Sequence, residues 1–148
     1  MTLKKILIGS LLFHSFLGCV SVVHEKPDFY DLEIEEFASS VELLLEDLDY
    51  LKQEILKVNA KKPSIQRILS EADSFWLKGD ITKTNSELER ALRISKEENA
   101  LYLRLAHLRL EQGLKKESKA FASRGLLNKE TSAWELLLLK IYSSKEND

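Results

Sequence analysis

Residues 65–98, IQRILSEADSFWLKGDITKTNSELERALRISKEE, and residues 99–132, NALYLRLAHLRLEQGLKKESKAFASRGLLNKETS, are consecutive stretches of equal length whose reading decides the fold. Each opens with an apolar run of helical periodicity, reaches a glycine (Gly79, then Gly113, 34 residues apart) and continues into a second such run. Recurrence at this period signals a repeated supersecondary unit that buries its apolar face against its neighbours. Each glycine marks the turn between two helical patterns. Ser95-Lys96-Glu97-Glu98 and Ser132-Ala133-Trp134-Glu135 carry the capping-box pattern, in which serine and glutamate satisfy opposing backbone amides at a helix start. The second opens a last helix, Trp134 to about Tyr142, expected to seal the stack with Trp134 in the core.

The unit resembles the tetratricopeptide (TPR) repeat. In the first copy Ala72 and Ala91 stand at the family's small positions, Phe75 and Leu88 at large ones, and Gly79-Asp80 at the turn. In the second copy Tyr102, Leu105 and Ala106 match the first helix, and Ala122 and Gly125 sit where two backbones approach closely. Leu88 to Ile94 reads like the end of a TPR second helix. The chain departs from the pattern at Lys96 and Glu130, where proline is common, at Thr84 and Ser118, where alanine is usual, and at Glu71, a position usually apolar. The resemblance implies an all-α fold of about two hairpins plus a capping helix over residues 64–142, followed by a tail, 143–148. It also implies a groove lined by the first helices, carrying Leu69, Asp73, Trp76, Leu103, His107 and Leu110 as the partner-binding surface, with Gln66, Leu77, Ala100 and Glu111 beside them.

Upstream, Ile34, Phe37, Val41, Leu44, Leu48, Leu51, Ile55 and Val58 alternate steps of three and four. That spacing predicts one long amphipathic heptad helix over residues 31–59. Such a stripe must be covered. It either self-associates as a coiled coil, against repulsion between the acidic flanks at Asp47 and Glu54, or packs on the downstream domain and fills the groove in cis. Pro63 breaks the pattern and opens the next helix.

The first residues read as a leader. Lys4 and Lys5 precede an apolar run from Ile6 to Leu17, short of the roughly 20 residues that span a bilayer. The run ends in Phe16-Leu17-Gly18-Cys19. This resembles the lipobox of bacterial lipoproteins and implies cleavage of residues 1–18, a diacylglycerol on the Cys19 thiol and an N-acyl chain on its new amino terminus. Residues 19–30 then form a lipidated tether. Val20 and Ser21 lack the aspartate associated with inner-membrane retention, so the resemblance implies an outer-membrane anchor facing the periplasm.

Composition removes other classes. Lys and Arg number 22 against 24 Asp and Glu, and no basic cluster suits nucleic acid. Cys19 is the single cysteine, so no disulfide forms within the chain. His14, His24 and His107 make no metal-ligand spacing, and no Gly-x-Ser-x-Gly elbow or phosphate loop occurs. The expectation is a non-enzyme with no metal and no cofactor beyond its lipid. The expected role is a scaffold for an envelope protein or peptide, the alternative a homo-oligomer formed through the 31–59 helix. Charge is uneven: residues 19–60 hold 11 acidic and 3 basic side chains, residues 61–148 hold 13 and 17.

Overall fold

The computed structural model describes residues 29–144. The leader, Cys19 and most of the tether and tail lie outside the described residues. Every element within them is an α-helix: α1 Phe29–Glu46, α2 Leu48–Leu56, α3 Pro63–Leu77, α4 Ile81–Ile94, α5 Asn99–Glu111, α6 Lys115–Gly125 and α7 Ala133–Ser144. The contacts described below fall in the unit from Glu36 onward.

The 34-residue recurrence is present in the backbone. At the end of α3, Gly79 (φ 75°) donates to the Trp76 carbonyl (3.0 Å) and Asp80 to the Phe75 carbonyl (3.0 Å). At the end of α5, Gly113 (φ 74°) donates to the Leu110 carbonyl (2.9 Å) and Leu114 to the Arg109 carbonyl (2.8 Å). Both are Schellman caps, which need a left-handed residue at the glycine. They turn each chain into a helix that packs back on its predecessor, α4 on α3 and α6 on α5.

Side chains follow the same register. Ala72 and Ala106 are buried at one equivalent position, Leu69 and Leu103 at another, and Thr84 and Ser118 at a third. Thr84 is accommodated because its hydroxyl donates to the Asp80 carbonyl (2.8 Å). Gly125, equivalent to Ala91, sits where a Cβ would come within 2.8 Å of the Leu139 side chain and 3.1 Å of Tyr102 Cβ. The close approach expected there is present. α5 is the hub: it packs against α2, α4, α6 and α7, and its residues from Asn99 to Leu108 are all buried.

Three features differ from expectation. The heptad stretch is two helices rather than one, because Asp47 is extended (φ −105°, ψ 108°) and its carboxylate caps α2, accepting from the amides of Asp49 (2.8 Å) and Tyr50 (3.0 Å). Aspartate is a poor interior helix residue and a strong N-cap, so the seam breaks there. The Ser132–Glu135 capping box forms in both directions, at 3.2 and 2.9 Å. The Ser95–Glu98 box does not. Glu98, 2% exposed, instead turns to the loop before α3 and accepts from the amides of Lys61 (2.7 Å) and Lys62 (3.2 Å). Lastly, Trp134 is 36% exposed and not in the core.

Candidate protein-binding groove

α3 and α5 bring the six expected groove residues to one surface, and α2 lies on it. Leu51, Ile55 and Val58 from the α2 stretch join Leu69, Trp76 and Leu103 in one buried cluster. Leu110 is half-buried against that cluster. Asp73 and His107, the polar members, are both engaged by side chains of the same chain.

Asp73 meets Arg104, whose side chain is completely buried. The guanidinium donates Nε–H to Asp73 Oδ1 and one Nη2–H to Asp73 Oδ2, both at 2.8 Å. It also reaches the carbonyls of Val58 (3.0 Å), Ala100 (3.0 Å) and Leu56 (3.3 Å). Arginine has five N–H donors and this one has five acceptors. Leu56 and Val58 lie at the end of α2, where helix carbonyls are left without intrahelical partners. Arg104 therefore ties the C-terminal end of α2 to α3 and α5.

Two turns along α5 from Arg104, Glu111 organises a second latch. Its carboxylate accepts from Trp76 Nε1 (2.7 Å) and Lys52 Nζ (2.9 Å), and His107 Nε2 lies 3.4 Å away. The Lys52 ammonium also sits 4.3 Å from the centre of the Trp76 ring, a cation–π arrangement. Burial pushes the Glu111 carboxyl upward, but hydrogen bonds from His107, Lys52 and Trp76 together outweigh it and hold the pKa at about 2. His107 Nδ1 is 2.7 Å from the Tyr142 hydroxyl. A carboxylate only accepts, so Nε2 carries the proton that faces Glu111, while Nδ1 pairs with the Tyr142 hydroxyl. Burial, and then the negative charge of Glu111, raise the Tyr142 pKa well above its ordinary value. The rings of Trp76, His107 and Tyr142 stack edge to face across α3, α5 and α7, with centroids 5.5 and 6.0 Å apart.

An open cleft of about 450 Å³ remains between Leu56 and the α3 residues Gln66, Ser70 and Ser74. Among the described residues, no group of three or more His, Cys, Asp or Glu side chains could hold a metal ion. Nor is any described helix long and apolar enough to cross a membrane. Arg104 is the residue sequence reasoning missed. An arginine in the apolar middle of a helix was its only signal, and its tertiary partners lie 31 to 48 residues away. Tyr142 was seen only as a helix end. Comparison with protein families, with curated proteins and with solved structures finds no match to this chain.

Proposed function

We propose that this chain is a lipid-anchored, TPR-like scaffold that assists assembly of a protein complex in the bacterial envelope. The observation that carries the scaffold half of the reading is the paired glycine turn, repeated 34 residues apart with the same hydrogen bonds and buried small residues. Stacked helical hairpins make extended surfaces suited to protein partners. The anchor half rests on Lys4-Lys5, the apolar run and Gly18-Cys19. A diacylglycerol with an N-acyl chain gives firm attachment, since each buried methylene contributes about 0.8 kcal/mol.

The α2 helix changes what the groove is for. With Leu51, Ile55 and Val58 on it and Arg104 holding the helix end, its floor serves as core, and partner contacts fall on its rim or on another face. A homo-oligomer built on the heptad seam has only the part before Leu44 left to it, because Leu44, Leu51, Ile55 and Val58 are buried within the chain.

Two measurements on cells expressing the full chain test the proposal. Palmitate labelling should mark the wild-type protein and be absent from Cys19→Ser; equal labelling of both would remove the anchor. Photocrosslinking from half-buried Leu110 should yield adducts within α2. A discrete adduct to a foreign protein at that position, in place of α2, would mean that α2 leaves the groove.

A further inference from the structure

Burial along α1 fades toward its N-terminus. Leu44 is fully buried, Val41 is partly covered and Phe37 is 58% exposed. Phe37, Val41 and Leu45 follow one another at intervals of four, which sets them on one ridge of the helix. Leu45 is 46% exposed and Leu48, just past the break at Asp47, is 39% exposed. Among the described side chains of α1, only Leu44 is buried. Scattered exposed leucines need no explanation. A continuous ridge with a phenylalanine does.

The charge beside the ridge states what fits it. Residues 27–51 contain nine acidic side chains and no lysine or arginine. Glu36, Glu42, Glu46, Asp47 and Asp49 are all exposed. Two copies pairing through this ridge would bring acid against acid with no base to relieve them. An anionic lipid surface would repel it as well. An apolar ridge between acidic flanks matches a helix whose own apolar stripe lies between lysines and arginines. We infer that the Phe37–Val41–Leu45 ridge is the docking surface for a basic amphipathic helix of a partner protein. This rests on the scaffold reading and names the surface and partner chemistry it uses.

Two peptides of about three heptads, identical at their leucine stripe but carrying lysine or glutamate at the flanks, provide the test. Each is titrated against the full chain in nanodiscs of neutral phosphatidylcholine, with empty discs as the blank. The lysine peptide should bind and the glutamate peptide should not. Affinity should fall about tenfold or more in Phe37→Ser/Leu45→Ser and in Glu42→Lys/Glu46→Lys, and stay unchanged in Glu87→Lys/Glu89→Lys on α4. Helicity, read by circular dichroism, should be the same in all of them, since the ridge positions are exposed. Equal binding of both peptides, or binding indifferent to the ridge substitutions, would overturn the inference. So would a dimer seen by sedimentation that Leu45→Ser dissolves, which would assign the ridge to a second copy. In cells, a crosslinked envelope partner retained by the ridge variants would sink the ridge and leave the scaffold standing. Loss of both the Cys19 label and every partner would sink the scaffold, whatever the peptides do.

Discussion

One heptad pattern has two fates in this molecule. From Leu44 to Val58 the seam is core except at Leu48, 39% exposed beside the Asp47 break: Leu44, Leu51 and Ile55 are fully buried and Val58 is 8% exposed. Before Leu44 the same spacing leads to a phenylalanine that stands more than half in solvent. The residues are equally apolar, so hydrophobicity does not separate them. What separates them is polar. After the Asp47 break, the chain is engaged by Arg104 at the carbonyls of Leu56 and Val58, and by Glu111 through Lys52. No such latch is found on α1 among the described residues. Apolar spacing specifies that a face be covered, and the polar contacts of the covered part fix it to a particular site.

Breaking the Arg104 latch should have the largest effect. Arg104→Met strands a carboxylate that is 17% exposed, and frees three carbonyls that the guanidinium held. Removing one partner of a buried ion pair costs about 3–5 kcal/mol. Urea unfolding should show a loss of that size, and Asp73→Ala/Arg104→Met should recover part of it, because no charge is then left unpaired. A loss below about 1 kcal/mol would mean that α2 is held by its apolar face alone.

The two halves of the seam can be compared by truncation. Ile55→Ala opens a cavity in the cluster shared with Leu69 and Leu103 and should cost about 2–4 kcal/mol. Phe37→Ala removes a larger side chain at an exposed position and should stay within about 0.5 kcal/mol. Equal losses would mean that Phe37 is covered in solution, and the contrast between the halves would disappear.

How much of this was legible beforehand follows the range of the interactions. Gly79, Gly113 and the 34-residue period announce the hairpins because turn chemistry is local: a Schellman cap needs only its own six residues. Gly125 could be read from its place in the repeat. The capping-box pattern succeeded at Ser132 and failed at Ser95, although both carry the same signature. At Ser95, Glu98 found two amides in the loop before α3, and a tertiary partner overrode the local one. Asp47 broke the heptad helix on a local preference that the apolar spacing masked. Trp134 looked like core by composition and is 36% exposed, near the start of the last described helix. Lys140, which occupies the position of Ala72 and Ala106 in the 34-residue register, is exposed where they are buried. The site was the least legible part. Leu69, Trp76, Leu103 and His107, expected to line a groove, are buried, and the helix over them and its latches depend on pairs 31 to 59 residues apart.

The second latch separates the halves by pH. In the folded protein the Glu111 carboxyl has a pKa of about 2, below its ordinary value of 4.5. A depressed carboxylate pKa contributes stability that is fully present above pH 4.5 and is lost as the pH falls from there toward 2. For a carboxylate still partly open to water the contribution is about 1–2 kcal/mol. Glu111→Gln keeps one oxygen that can accept from Trp76 or Lys52 but loses the charge and the second acceptor, so its stability should start lower and fall less steeply than the wild type between pH 5 and pH 2.5. Because Lys52 is the α2 member of the latch, acid should loosen α2 before it unfolds α3–α7. Amide exchange in α2 at pH 3 should then rise ahead of exchange in α5. Parallel acceleration in both would show that α2 unfolds only with the domain, and that Arg104 rather than Glu111 decides when it does.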